Sequence, residues 1–222
     1  MIEQLPARVI FGGTFDPVHH GHLRSALELT EALEVNQVDL IPSRDPVHRS
    51  GTDAPAFDRL QMLERATASE PRLVINRIEL DAERESYTLF TLQELRAQTG
   101  ADTALILVVG MDAFQSLESW KGWQSLLHYA HLLVLKRPGY QPHFSDRLHG
   151  LYQQHSVPLL EELRQSPAGK ICLFEQTPVE VSATQVRKLI AAGASPRYLI
   201  PDSVWDYIQE KELYGFQRTE TD

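Results

Sequence analysis

The sequence predicts an α/β protein, with a doubly wound parallel sheet and helices on both faces. Three observations carry that expectation. Short apolar runs of strand length recur along the chain, separated by segments whose apolar residues follow helical spacing. The run Ala104 to Val109 (ALILVV) is apolar without alternation, the pattern of a strand buried on both faces. The first run ends in a glycine-rich stretch, Gly12 to His22, that opens directly into a helical segment. Strand, turn, helix and strand at this length form a right-handed βαβ unit, so the whole reads as Rossmann-like.

Taken in order, Val9 to Phe11 is a short strand closed by glycine. A helix from Gly21 to about Leu33 buries Ala26, Leu29, Ala32 and Leu33, with Leu23 and Leu27 beside them. Val38 to Ile41 is the next strand, ended by Pro42. A loop with Pro42, Pro46 and Pro55 follows, then a helix marked by Phe57, Leu60, Met62 and Leu63 that reaches about Ala68. Leu73 to Ile75 and Arg77 to Leu80 read as short strand pieces, and Thr88 as the cap of a helix over Leu89 to Gln98. Leu92 and Leu95 face inward there, and Gly100 stops the helix.

After the strand at Ala104 come a short helical stretch with Trp120 and Trp123, then a buried strand, His131 to Leu135. Residues 138–150 read as an irregular loop, and Leu151 to Arg164 as a helix interrupted by Pro158. Ile171 to Phe174 is a further strand. Val181 to Thr184 leads into a helix through Ala192 with Val186, Leu189 and Ile190 inward, and Pro201 begins the last helix. The expected organisation is one domain over 1–222, with a C-terminal helical part at about 182–216 packed on it.

Bulk properties narrow the function. The 222 residues carry a formal net charge of −9, which disfavours nonspecific nucleic-acid binding. Cys172 is the single cysteine, which rules out an intramolecular disulfide and fits a reducing, cytoplasmic setting. The N-terminus lacks the basic-then-apolar pattern of an export signal, and no apolar run approaches membrane-spanning length. A soluble cytoplasmic protein with no membrane and no nucleic-acid partner is expected.

In an open parallel sheet ligands bind beyond the carboxyl ends of the strands, which selects residues 12–22, 42–49, 110–112 and 182–187. A glycine turn opening a helix lets backbone N–H groups approach an anion, and His19 and His22 can donate to phosphate oxygens without a permanent full charge. His-x-x-His also has metal-ligand spacing, yet two imidazoles without a third ligand make a poor zinc site. Ser182 is suited to cap a helix, and Arg187, one turn in, carries a fork of donors suited to phosphate. Asp112 follows Gly110 at the end of the most apolar strand and reads equally as a cap. The acidic approach Glu79, Asp81, Glu83 and Glu85 ahead of Thr88 reads as an exposed connection, although a helix N-terminus suits a carboxylate.

The string Gly12-Gly13-Thr14-Phe15-Asp16-Pro17-Val18-His19-His20-Gly21-His22 resembles the (Thr/His)-x-Gly-His signature region of the nucleotidyltransferase superfamily. Its longer form resembles that of the bacterial nicotinate mononucleotide adenylyltransferase family. Ser182-Ala183-Thr184-Gln185-Val186-Arg187 is similar to the second signature, Ser-x-Thr-x-x-Arg, with Ala183 where the family often has Ser. The resemblance spans roughly residues 8 to 215. It implies that Gly12, Gly13, Thr14, Phe15, His19, His22, Gly110, Asp112, Ser182, Thr184 and Arg187 bind ATP. His19, His22 and Arg187 are then the catalytic set. Ser86, Tyr87 and Thr88 would hold the nicotinate carboxylate, Trp120 would stack on the pyridine ring in preference to Trp123, and Arg44 and His48 would contact the substrate. The family usually reads Pro-Pro-His-Lys where this chain has Pro46-Val47-His48-Arg49.

The implied reaction is direct transfer of AMP from ATP to nicotinate mononucleotide, with pyrophosphate leaving and Mg²⁺ arriving with the ATP. No carboxylate cluster resembles a dedicated metal cage. Three rivals remain: a sister transferase acting on nicotinamide mononucleotide or phosphopantetheine, a nucleotide-binding module without turnover, and a metalloprotein built on His19, His20 and His22.

Overall fold

The computed structural model describes residues 4–44, 53–136 and 144–217. The expected calls at Pro46, Val47, His48 and Arg49 lie outside the described residues.

The chain opens with β1 (Ala7–Gly13), α1 (His20–Ala32) and β2 (Val38–Pro42), followed by α2 (Ala56–Thr67) and β3 (Leu73–Ile75). Next come α3 (Thr88–Thr99), β4 (Ala104–Gly110), α4 (Met111–Gln115), α5 (Leu126–Tyr129) and β5 (His131–Lys136). The remainder is α6 (Asp146–His155), β6 (Ser156–Val157), β7 (Ile171–Glu175), α7 (Ala183–Ala191) and α8 (Asp202–Lys211).

The strands form one parallel sheet in the order β3-β2-β1-β4-β5-β7-β6. From β1 the chain winds outward through β2 to β3, then returns to place β4 on the other side of β1, in register Phe11 to Val108. The winding direction reverses between β1 and β4, and in open α/β sheets ligands bind outside the strands' carboxyl ends at such a switch point. Alternation along the strands divides the core. Val9, Phe11 and Leu40 pack with Ala26 and Leu29 of α1, Met62 and Leu63 of α2, and Val186 and Ile190 of α7. Ile10, Ile41, Leu105 and Leu107 pack instead with Leu92 and Leu95 of α3, Phe114, Leu126 and Leu148. Each such fully buried aliphatic side chain contributes roughly 1.5–3 kcal/mol relative to exposure. The doubly wound arrangement with helices on both faces is therefore what the alternating pattern requires.

Several local expectations differ. β1 runs through Gly12 and Gly13, which pair with Ile41 and Pro42, so the turn starts at Thr14. Ala32 is exposed at the end of α1. Arg77 to Leu80 is not a strand: the Asn76 side chain accepts from the Ile78 amide and Asp81 N bonds back to the Arg77 carbonyl, curling the chain after β3. Thr88 is the first residue of α3 rather than its cap, and Tyr87 precedes the helix without a side-chain cap hydrogen bond. Within 138–150, α6 starts at Asp146, capped by Ser145. The segment Leu151 to Arg164 breaks at Ser156, ahead of Pro158, into edge strand β6 and a 3-10 turn over Leu160–Gln165.

His131 begins β5 fully buried, its Nδ1 accepting from the Lys170 amide at 3.0 Å and its Nε2 bonded to the Ser166 carbonyl at 2.8 Å. Burial is the main cause that lowers its pKa from 6.5 to about 4. The unfolded chain therefore binds a proton below pH 6.5 that the folded chain refuses until about 4, and stability must fall across that window. His131→Asn, which cannot charge, should melt lower at pH 7 but lose less melting temperature between pH 6.5 and 4.5 than the parent. Parallel losses would contradict this assignment.

Candidate active site

The site is built where the polypeptide leaves β1. Phe15 sits in the left-handed region at φ 50 and is almost fully buried, an arrangement that costs about 1 kcal/mol or more in a non-glycine residue. Its ring lies against Gly13, where an added Cβ would come within 3.0 Å of it, and edge-on to His22 at 5.1 Å. At Gly12, by contrast, an added Cβ would meet nothing within 4 Å, so the backbone surface there is open to close approach by a ligand.

Helix α1 has an unusual start. Its N-cap is His19, whose Nδ1 accepts from the His22 amide at 3.3 Å, while Nδ1 of His22 accepts from the His19 amide at 3.3 Å. The two rings stack with centroids 3.6 Å apart and planes at 17°. This is a capping box made from two imidazoles. An Nδ1 that accepts an N–H bond carries no proton, so the hydrogen bonds assign both rings to the neutral tautomer with Nε2–H as donor. Burial, and then the neighbouring His19, hold the His22 pKa well below 6.5. Protonating either ring on Nδ1 would set N–H against N–H and break the cap.

Arg187 comes from α7, whose start is capped by Ser182: the hydroxyl oxygen accepts from the Gln185 amide at 3.2 Å. Thr184 is exposed on the first turn. Val181, just ahead of the helix, lies where an added Cβ on Gly21 would touch it at 3.0 Å, so α7 and α1 start side by side. Arg187 Nη1 donates to the Asp16 carbonyl at 2.7 Å, and its Nε pairs with the Asp53 carboxylate. His19, His22, Phe15, Ser182 and Arg187 are thus gathered as expected.

Two residues that sequence reasoning left without a role organise this corner. Asp16, only 5% exposed, accepts from the amides of Asp53 and Ala54 and from the Tyr214 hydroxyl. Arg59, fully buried, donates to the carbonyls of Ala54, Thr14 and Arg44. Asp16 stood inside the glycine-rich string, and its polarity beside an apolar run was the available signal; Arg59 sits in an amphipathic helix with no local sign of its role.

The second group of expected residues follows β3 and β4. Arg44 donates to the Ala82 carbonyl, bringing the end of β2 to the acidic connection. The Ser86 hydroxyl is engaged by Glu79, which also accepts from Thr91 at 2.8 Å. Lys121 places its ammonium 4.3 Å from the Tyr87 ring centroid, so the Trp120 segment adjoins the start of α3. Gly122, at φ 66, permits this approach: an added Cβ would lie 2.5 Å from Leu89 Cδ2. Trp120 is partly buried against the core and Asp112 is exposed in α4, just beyond Gly110.

Residues 10–189 match the cytidylyltransferase-like family model. A probable nicotinate-nucleotide adenylyltransferase of Marinobacter nauticus is 45% identical over 212 residues, covering 96% of this chain and 98% of the relative. The chain belongs to the nicotinate-nucleotide adenylyltransferase family. A second member, from Pseudomonas aeruginosa, is 42% identical over 205 residues, 92% of this chain and 95% of the relative. The fold of the family recurs in a Plasmodium falciparum nicotinic acid mononucleotide adenylyltransferase complexed with NaAD, with TM-score 0.71 at 16% identity over 96% of this chain and 98% of the other. A putative nicotinate-nucleotide adenylyltransferase from Vibrio parahaemolyticus gives TM-score 0.60 at 12% identity over 92% and 99%.

The paired histidines give a direct spectroscopic prediction. Nitrogen-detected NMR should find both rings as Nε2–H tautomers at pH 7, with His22 still neutral well below pH 6.5. An imidazolium signal from His22 at pH 6 would contradict the double cap.

Proposed function

We propose that this chain transfers the adenylyl group of ATP to nicotinate mononucleotide, giving nicotinate adenine dinucleotide and pyrophosphate for NAD biosynthesis in the cytoplasm. The observation that carries the reading is the pair of neutral Nε2–H donors at the head of α1, set beside Arg187 at the carboxyl ends of the strands.

The acceptor's phosphate is already an anionic nucleophile, so no side chain has to be deprotonated. One of its oxygens forms a bond to the α-phosphorus of ATP as the bond from that phosphorus to the β-bridging oxygen breaks, and the electron pair leaves with pyrophosphate. The enzyme's task is positioning and charge stabilisation. His19 and His22 donate to phosphate oxygens on which charge grows, and because the rings are neutral they add no fixed charge that would hold the product. Arg187 exchanges Asp53 for the triphosphate. The open face of Gly12 and the amides beyond Gly13 lie under the nucleotide, with Thr14, Phe15, Gly110, Asp112, Ser182 and Thr184 around it. The start of α3 at Ser86, Tyr87 and Thr88 receives the nicotinate carboxylate through backbone amides, since the Ser86 hydroxyl is held by Glu79. Trp120 supplies the stacking face and Arg44 a nearby cation.

Among the described residues no group of three or more His, Cys, Asp or Glu side chains could hold a metal ion, and this donor set fits a magnesium ion carried by the triphosphate. When bound, that ion draws charge from the departing pyrophosphate.

Pyrophosphate release with Mg-ATP should be strong with nicotinate mononucleotide and weaker by orders of magnitude with nicotinamide mononucleotide or phosphopantetheine. Equal or better turnover with either alternative would move the acceptor assignment. His22→Ala should lower kcat/KM by about 10² to 10³, beyond what a lost helix cap of about 1 kcal/mol explains. Arg187→Ala should act mainly on the KM for ATP. An adenylylated enzyme trapped during turnover would overturn direct transfer.

A further inference from the structure

The Asp16 carboxylate is the most buried acid beside the phosphate-binding corner, and the proposed chemistry gives it no part. Its surroundings are nonetheless complete. Oδ2 accepts from the Asp53 amide at 2.8 Å; Oδ1 accepts from the Ala54 amide at 3.2 Å and from the Tyr214 hydroxyl at 2.7 Å. Tyr214 is separated from Asp16 by almost the whole chain. It lies in the turn Leu213–Gly215 after α8, at φ 58 and ψ 27, between Glu212 and Gly215, which are also left-handed. That turn packs on α7: an added Cβ at Gly215 would lie 3.9 Å from Ala191. Three left-handed residues within four positions, Glu212, Tyr214 and Gly215, set the direction of the tyrosine, and its hydroxyl is held as a donor, with burial and the Asp16 charge raising its pKa beyond the normal range.

We propose that Tyr214 is a positioning residue for adenylyl transfer: by occupying Asp16 Oδ1 it keeps the Arg187 guanidinium off that carboxylate and available to the triphosphate. The inference rests on the reading of Arg187 as a phosphate-binding arm. The geometry that supports it is the shared residue. Arg187 Nη1 already donates to the backbone carbonyl of Asp16, so the guanidinium and the carboxylate belong to one residue's reach. A buried carboxylate oxygen that loses a good donor takes another, and charged donors bind it more strongly than neutral ones. With the hydroxyl gone, Oδ1 keeps one long amide bond; Arg59 is committed to three backbone carbonyls, whereas Arg187, already on the Asp16 carbonyl, has an exposed partner it can leave. Arg187 already pairs with the exposed Asp53, a contact the triphosphate can displace; capture by the buried Asp16 carboxylate would replace it with an internal ion pair that is harder for ATP to break. The hydroxyl satisfies the carboxylate without a positive charge, which is why a phenol serves here where a lysine would add a competing cation.

The test is Tyr214→Phe in the full chain, assayed for both substrates. The account expects the KM for ATP to rise about tenfold, the size of one hydrogen bond of good geometry, with the KM for nicotinate mononucleotide within about twofold of the parent. In an Arg187→Ala background the same change should raise the ATP KM by less than about twofold, because there is no longer an arm to capture. A lower melting temperature with both KM values unchanged, or equal effects of Y214F with and without Arg187, would overturn the proposal. If R187A itself leaves the ATP KM unchanged, the reading of Arg187 fails and this inference with it. Should Y214F not fold, para-aminophenylalanine at the position keeps the shape with a weaker donor. It should raise the ATP KM about threefold at an unchanged melting temperature, and an unchanged KM would overturn the inference.

Discussion

The structure of the site depends on the reciprocal cap between His19 and His22. A helix start leaves amides without partners, and an acidic or hydroxyl side chain ordinarily supplies the acceptor. Here no acidic residue stands in the first turn, and two imidazole Nδ1 atoms take the two amides. One arrangement therefore does three things. It starts α1, it stacks and orients the rings, and it leaves the only remaining ring donor, Nε2–H, uncharged. On the proposed reading, a carboxylate cap would place a negative charge where the phosphates bind, and a lysine would hold the product tightly. Phe15, edge-on to His22 and strained at φ 50, backs the pair with an apolar ring, and burial holds the His22 pKa well below its usual value.

Around that pair, buried polar groups replace regular secondary structure as the means of holding loops. Arg59 joins three carbonyls from three segments, and Asp16 joins the loop after β1 to the approach to α2 and to the C-terminal turn. Each is a buried charge with its hydrogen bonds met. Such groups are costly to break and set the loops more narrowly than apolar packing does. The sheet beneath supplies the base: β1 and β4 lie side by side at the switch point, so the loops from their carboxyl ends start as neighbours.

How much of this was legible follows from the range of each interaction. The central strands are legible because burial on both faces leaves continuous apolar runs, as in Ala104 to Val109. The string Gly12 to His22 is legible because glycine spacing, two histidines and a helix start fall within one short window. The region after β5 is not: Asp146 to His155 is short and polar, and its helix is set by the Ser145 cap and by Leu148 on the core rather than by a strong apolar stripe. Thr88 misleads because a hydroxyl before an apolar segment looks like a cap, whereas the backbone turns helical at Thr88 itself. The Tyr214 to Asp16 bond spans 198 residues, and no local pattern announces a contact of that length.

The central claim is that the acceptor phosphate attacks the α-phosphorus directly while neutral histidine donors and Arg187 hold the charge. The most direct measurement is the stereochemistry of transfer with ATP carrying sulfur at a single configuration on the α-phosphorus. A single in-line displacement predicts inversion in the dinucleotide product. Retention would require two displacements through an enzyme-bound adenylyl group and would contradict the account.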